Sequence, residues 1–222
     1  MSGEALLSIT LLTLGVGAAA TLAILPGAVA LAWWLARTRF PGQSLVRAVV
    51  ALPMVLPPVA VGLGLLWLLG RRGPLGALWD ALGIDLVFTW WAATLAAAVV
   101  GFPLLTRACE QAIADVNPRY EAVARTLGAS RLGTFFRVTL PLARRGVLYG
   151  TLLAFTRALG EFGATTLVAG ILPGRTETLA LGIYSRVLTG DDRGALLLCA
   201  VSFSIGLVAM WAAERWLRRE AS

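Results

Sequence analysis

Five stretches of the sequence are almost free of charge, and each is about as long as a helix that crosses a lipid bilayer. They cover residues 5–36, 48–70, 86–106, about 146–170 and 195–213. Only 14% of the 222 residues are charged and the mean hydropathy is +0.80, so a soluble fold could not bury enough of the apolar sequence. The pattern predicts an all-α fold, a polytopic transmembrane helical bundle with five spans.

The arginines predict how this bundle is oriented. Thirteen of them follow spans one, three and five, whereas five follow spans two and four, and Arg157 lies inside span four. Because positive residues collect on the cytoplasmic side, a multi-pass protein of the cell membrane is expected, with its N-terminus outside and its C-terminus in the cytoplasm. This asymmetry accounts for the net charge of +7 without nucleic acid. Residues 176–188 are mildly apolar and could be a re-entrant or surface helix, so six spans is the competing count.

Two residue types are missing from the chain. It contains no Lys and no His, and all 19 basic residues are Arg. A standard Walker A nucleotide loop needs Lys, and His-based zinc sites and Ser-His-Asp triads need His, so these sites are excluded. We expect a chain that is not an enzyme, with no catalytic residue, no metal site and no bound cofactor.

The loop between spans three and four, about residues 107–145, has a helix pattern of its own. Asn117 can cap a helix that has Pro118 in its first turn, and Gly128 can end that helix in a left-handed conformation. Ser130 can cap a second short helix, which we expect Pro141 to break. The sequence therefore predicts two short helices that meet at a glycine turn.

Apolar residues of the first loop helix recur at helical spacing, at Tyr120, Val123, Ala124 and Leu127. This spacing predicts one apolar stripe. Such a pair of amphipathic helices could lie on the lipid surface or form a knob that docks into a soluble partner.

The segment EAVARTLGASRLGTFFRVTLP resembles the EAA loop of ABC importer permeases. The third motif position is Val123 instead of Ala. In that family the loop forms coupling helices that sit in a groove of a separate ATP-hydrolysing subunit. The resemblance implies that eight residues couple this chain to such a subunit: Glu121, Ala122, Gly128, Ala129, Phe135, Phe136, Leu140 and Pro141.

Two further segments narrow the resemblance to molybdate permeases. They are FTRALGEFGATTLVAGILPGRTETLALGIY at residues 155–184 and LPMVLPPVAVGLGLLWLLGRRGPLG at residues 52–76. The resemblance implies one permease domain over residues 1–222 that works as a homodimer in an ATP-driven molybdate importer. Its implied partners are two ABC subunits, which bind the ATP and Mg²⁺, an extracytoplasmic molybdate-binding protein and membrane lipid.

Other functions stay open at this stage. Sulfate/thiosulfate and tungstate permeases share much of the Ala-Leu-Gly-Glu-Phe-Gly pattern at residues 158–163. A proton-coupled secondary anion transporter, with Arg157 and Glu161 as a proton-linked pair, is the alternative from another class. The EAA-like loop argues against that alternative.

Several residues within the spans are candidates for the translocation path or its gate. Arg157 and Glu161 are four apart, so we expect them on one helix face, either as a structural ion pair or beside the exit path of a dianion. The glycines among them could pack against a symmetry mate or make a gate flexible. The threonines could donate to their own backbone or face a translocated oxyanion. Prolines must interrupt span two, inside the bundle or beside a cavity. The remaining candidates are Gly160, Gly163, Thr165, Thr166, Pro57 and Pro58.

Overall fold

All regular elements in the described part of the chain are helices. The structure is a computed structural model that describes residues 2–219, without the side chains of residues 213 and 216–219. Arg218 and Arg219, counted above among the cytoplasmic arginines, lie outside the described side chains. The all-α prediction is confirmed. The helices are α1 Gly3–Arg37, α2 Gln43–Val55, α3 Pro58–Leu69, α4 Gly76–Ala81, α5 Trp90–Ala114, α6 Pro118–Thr126, α7 Arg131–Thr134, a π turn Phe135–Thr139, α8 Leu140–Leu159, α9 Gly163–Ala169, α10 Leu179–Leu188 and α11 Asp192–Arg219.

Three helices in the described residues are long and apolar enough to cross a membrane: α1, α5 and the Asp192–Ala212 part of α11. The pair α2 and α3 would form a fourth crossing if it counts as one span, although it is bent by 106°. The predicted fourth span corresponds to α8 and α9, which are separate helices. The number of spans therefore stays a prediction.

The bend between α2 and α3 occurs where the sequence contains adjacent prolines. Leu56 and Pro57 are extended, and Pro58 begins α3. The proline ring excludes the preceding residue from the α-helical region and removes a backbone donor, so a helix cannot continue through this pair. The predicted interruption of span two is confirmed. Pro53, by contrast, lies within α2 without ending it.

The core forms where α1, α5 and α8 pack together. The part of the core nearer the loop includes Ala28 and Ala32 of α1, Leu105 of α5, and Ala143 and Ala154 of α8, all buried. Small residues let helix backbones approach closely, which replaces the hydrophobic drive that is missing inside a bilayer. Helix α5 is thereby enclosed by its neighbours, whereas α11 lies largely exposed at the edge.

The prediction that Pro141 ends the second loop helix is wrong. Helix α7 passes through the π turn directly into α8, and Pro141 lies in the first turn of α8. The Leu140 N–H donates to the Phe135 carbonyl, five residues back, so the α-helical register ends just before the proline. A proline is tolerated in the first turn of a new α-helical segment, and the chain stays helical.

The predicted fourth span is also not continuous. Helix α8 ends at Leu159, residues 160–162 are not helical, and α9 begins at Gly163. Helix α9 ends at Ala169, and the following Gly170 has a φ of +65°, in the left-handed region that favours glycine. Because of this break, the short helix α9 packs against α3, and Glu161 lies between the end of α8 and the start of α9.

Candidate functional site

The predicted caps of the first loop helix are confirmed. The Asn117 Oδ1 accepts a hydrogen bond from the Arg119 N–H at 3.0 Å. At the other end the Gly128 N–H donates to the Arg125 carbonyl, and the Ala129 N–H donates to the Ala124 carbonyl. With Gly128 at φ +87°, this is a Schellman ending, which satisfies the last carbonyls of α6 and turns the chain sharply.

The second loop helix begins at its predicted cap as well. The Ser130 Oγ accepts a hydrogen bond from the Gly133 N–H at 3.0 Å. Because α7 is continuous with the π turn and α8, a displacement of this part of the loop moves one end of α8. Helix α8 has 20 residues and is therefore roughly 30 Å long.

Glu121 is buried beneath the loop. Its Oε1 accepts hydrogen bonds from the Arg37 Nε at 2.8 Å and from the Thr139 Oγ1 at 2.7 Å. The Arg37 Nη2 also donates to the Val116 carbonyl at 2.9 Å. This pair therefore joins the last turn of α1 both to the backbone just before α6 and to the π turn. Glu121 is the first residue of the EAA-like motif, and here its carboxylate is directed to its own chain.

The two phenylalanines of the motif take opposite positions. Phe135 is buried, and its ring lies 4.7 Å from the Trp33 ring of α1. Phe136 is exposed, with its ring 5.0 Å from that of Phe135. One ring therefore fixes the loop to the bundle, and the other is free to contact a partner.

The predicted apolar stripe lies on the outside of the loop. Five large apolar residues of α6, its C-cap, α7 and the π turn are each 58–83% exposed, and together they are called here the exposed apolar face. Ala122 is also exposed, whereas Ala124, Ala129 and Leu140 are half-buried. A cluster of large apolar side chains held outward on a rigid loop is typical of a protein-binding surface. The exposed apolar face consists of Tyr120, Val123, Leu127, Leu132 and Phe136.

Arg157 and Glu161 meet, but not on one helix face as predicted. Glu161 lies beyond the end of α8, in the break before α9. The Arg157 Nη1 lies 2.9 Å from the Glu161 Oε2, and the Glu161 Oε1 accepts a hydrogen bond from the Ala164 N–H at 2.9 Å. The carboxylate therefore caps α9 and pairs with α8, so it satisfies polar groups of both helix ends at the break.

Two glycines allow α3 and α9 to touch. A methyl group added at Gly163 would lie 2.7 Å from the Pro58 Cβ, and one added at Gly62 would lie 2.7 Å from the Ala164 Cα. Contacts this short cannot be made by a real side chain. Gly163 therefore packs against its own chain rather than against a symmetry mate, because the bend after Pro57 turns α3 towards the break.

The other path candidates are less strongly placed. The Thr166 hydroxyl donates to the Phe162 carbonyl at 2.6 Å, as expected of a threonine that bonds its own backbone. Thr165 is buried, and Gly160 is exposed in open surroundings. Pro57 is exposed at the apex of the bend. Pro58 thus packs closely against Gly163, and Arg157 forms an ion pair with Glu161. The candidates do not all lie together in one site.

Replacing the Glu161 carboxylate should destabilise the protein, and the loss should be larger with Ala than with Gln. We expect Glu161→Gln to keep an oxygen for the Ala164 N–H and to lose only the charge pairing with Arg157. Glu161→Ala loses both, which adds about 1 kcal/mol for the missing cap. Thermal melting of the purified protein should rank wild type above Glu161→Gln, and Glu161→Gln above Glu161→Ala. Equal melting temperatures for the two variants would contradict the capping role.

Comparison with known proteins agrees with this geometry. Residues 28–221 match the family model described as binding-protein-dependent transport system inner membrane component. The chain belongs to this family. It is thus a multi-pass protein of the inner membrane and a component of a transport system.

The similar proteins with curated names are permeases. The chain is 46% identical to the molybdenum transport system permease protein ModB of Escherichia coli strain K12, over 94% of this chain and 92% of that protein. It is 41% identical to ModB of Haemophilus influenzae, over 94% and 91%. It is 35% identical to the sulfate transport system permease protein CysT of Salmonella typhimurium, over 82% of this chain and 65% of that protein.

The solved structures with a similar fold are described as ABC transporters. One is a bacterial transporter involved in the import of the acidic polysaccharide alginate, with a TM-score of 0.77 at 19% identity, covering 98% of this chain and 80% of that chain. Another is an inward-facing MetNI methionine transporter, with a TM-score of 0.70 at 17% identity and 99% of both chains covered. At these identities the likeness shows the fold alone.

Sequence reasoning missed several residues of these sites. It did not single out Arg37 and Thr139, which hold Glu121, nor Trp33, which holds Phe135, nor Gly62, which admits α9. Arg37 lies in the last turn of α1, where a basic residue is expected simply because it interacts favourably with the helix C-terminus. No local pattern connects it with a glutamate 84 residues later.

Proposed function

We propose that this chain is the membrane permease subunit of an ATP-driven ABC importer that carries molybdate into the cell. The observation that supports this most directly is its 46% identity to a ModB permease along nearly the whole of both chains. The loop geometry agrees, because an exposed apolar face on a rigidly held helix pair suits docking to a soluble subunit. The chain itself makes and breaks no covalent bond.

The proposed assembly contains two copies of this chain. Two ATP-binding subunits, which hold the ATP and Mg²⁺, dock on the exposed apolar faces, and an extracytoplasmic molybdate-binding protein docks on the other side. The loop then lies in the cytoplasm, with the N-terminus of the chain outside and its C-terminus inside. This orientation agrees with the excess of arginines near the loop and near the ends of α1 and α11.

The proposed mechanism converts loop movement into a change of access. ATP binding closes the ATPase pair and draws the two loops together. Each loop is tied to α1 through Glu121 and Arg37 and is continuous with α8, so its displacement moves two long helices at once. The far end of α8 is the break at Glu161, where α9 packs on α3. The helices thus rock from inward-open to outward-open, and hydrolysis resets them.

The decisive experiment measures uptake into proteoliposomes that contain this chain, its ATPase subunit and its binding protein. We expect ATP-dependent molybdate uptake that needs all three components and that excess sulfate does not displace. Displacement by sulfate would favour the second candidate, a sulfate permease, which the likeness to CysT supports. Uptake that continues without the ATPase would contradict the ABC assignment and favour a proton-coupled transporter. Tungstate, as a second competitor, tests the preference between similar tetrahedral dianions.

A charge placed on the exposed apolar face should prevent docking. Leu127 is 83% exposed and Phe136 is 62% exposed, so substitution of either costs the isolated chain little. Leu127→Asp or Phe136→Asp should lower co-purification of the ATPase subunit at least about tenfold, because a carboxylate must then be buried unpaired in the interface. Leu78→Asp in α4, also exposed, is the matched control and should keep full association. Unchanged co-purification of both loop variants would contradict the docking role of this face.

A further inference from the structure

An open cavity of about 810 Å³ lies between the end of α1 and the inner side of the loop. Its charged lining consists of Arg37, Arg39, Arg125, Arg131 and Glu121. Glu121 compensates Arg37. In the part of the chain that the structure describes, no carboxylate lies within ion-pair distance of the other three guanidinium groups. The cavity therefore carries an excess of positive charge that its own walls do not neutralise.

A buried hydroxyl group in the same wall has no partner. Thr134 is 4% exposed and lines the cavity, yet its Oγ1 makes no hydrogen bond within the described residues. A buried polar group without a partner costs free energy, so such groups are ordinarily satisfied. A ligand with acceptor oxygens would satisfy the arginines directly, whereas the Thr134 Oγ1 has almost no accessible surface and would be reached only after its side chain rotates.

The cavity lies on the side of α6 that faces away from the exposed apolar face. Pro118, Glu121 and Arg125 line the cavity, whereas Tyr120, Val123 and Leu127 point outward. At 3.6 residues per turn the two sets lie on opposite sides of the helix. A subunit docked on the exposed apolar face would therefore leave the cavity side of α6 uncovered.

We propose that this cavity binds the phosphate group of an anionic phospholipid from the cytoplasmic leaflet. Trp33 and Trp34 line it at the end of the long apolar helix α1, the position where tryptophans mark the membrane interface. Basic pockets at the cytoplasmic ends of membrane helices bind anionic lipid headgroups. A bare oxyanion would fill only a small part of 810 Å³, whereas a headgroup with its glycerol uses more of it. The lipid source rests on the orientation proposed above; free phosphate has the same chemistry without needing a membrane.

Native mass spectrometry of the purified complex with its ATPase subunit tests this site. The probes are phosphatidylglycerol, phosphatidylcholine and inorganic phosphate. We expect phosphatidylglycerol to bind at least about tenfold more weakly to Arg39→Gln/Arg131→Gln than to wild type, because each arginine near a membrane surface strengthens anion binding severalfold. Arg119→Gln, which removes an equal charge from α6 outside the cavity, is the matched control and should bind normally.

The outcomes separate the sources and the site. Arginine-dependent binding of inorganic phosphate without a preference for phosphatidylglycerol would keep the phosphate site and assign it to a soluble oxyanion. Equal phosphatidylglycerol binding by wild type and the double variant, or an equal loss in Arg119→Gln, would overturn the site. Lipid binding is measured without transport, so a failure of molybdate uptake would count against the proposed function and leave this proposal standing.

Discussion

Replacing Glu121 with Lys should lower ATP-driven uptake at least tenfold and destabilise the protein, although the chain still inserts into the membrane. The side chains of Glu121 and Arg37 are only 10% and 16% exposed, so the ammonium group would face a guanidinium with little water between them. Loss of one partner of a buried ion pair costs about 3–5 kcal/mol, and a like charge adds to this. The hydroxyl of Thr139 would also lose its acceptor.

Glu121→Gln is the milder variant and isolates the charge. Its amide oxygen can still accept the hydrogen bond from Thr139, so we expect a smaller loss of stability than with Lys. Thermal melting of the complex and molybdate uptake in proteoliposomes should both follow the order wild type, Gln, Lys. A Lys variant with wild-type melting and uptake would rule out the proposed clamp.

A charge exchange separates the two possible roles of this glutamate. If Glu121 acts by holding the loop against α1, the double variant Arg37→Glu/Glu121→Arg should regain a large part of the stability and uptake lost in Glu121→Arg. If Glu121 acts by touching the ATPase, the exchange would restore melting temperature without restoring uptake. The geometry favours the first role, because the carboxylate is buried against its own chain.

The sequence was informative wherever a structural rule is local. The bilayer requires about 20 apolar residues per crossing helix, so the segments of α1, α5 and α11 could be found from composition alone. The loop caps at Asn117, Gly128 and Ser130 depend on bonds between residues at most five positions apart, and all three were predicted correctly. The adjacent prolines predicted the break between α2 and α3 for the same reason.

The errors arose where a distant contact or an altered register decides the outcome. Pro141 ends an ordinary helix, but the preceding π turn lets it begin a new one. Glu161 is at helical spacing from Arg157, yet α8 ends two residues earlier and the carboxylate caps α9 instead. Glu121 lies off the apolar stripe of its helix, at a spacing that suits a surface residue. It is buried because the end of α1, more than 80 residues earlier in the chain, packs against it.

A side chain larger than hydrogen at Gly62 should force α3 and α9 apart and thereby impair transport. Its added methyl would lie 2.7 Å from the Ala164 Cα and 2.8 Å from the Ala164 carbonyl oxygen, both backbone atoms that cannot rotate away. We expect Gly62→Val to lower molybdate uptake at least tenfold and to destabilise the protein by about 1–3 kcal/mol, the usual cost of overpacking a tight contact. Uptake in proteoliposomes and thermal melting measure the two effects.

The chain offers a close control two residues further along α3. A methyl group at Gly64 would meet nothing within 4 Å, so Gly64→Val carries the same change in helix propensity without the clash. If Gly62→Val and Gly64→Val impair uptake equally, the effect belongs to the helix and not to its contact with α9. A loss of uptake in Gly62→Val alone would point to the contact between α3 and α9, which Gly163 also makes on its side by packing against Pro58. The selective result would identify the contact between the two broken helices as the part of the membrane domain that must stay tight for transport.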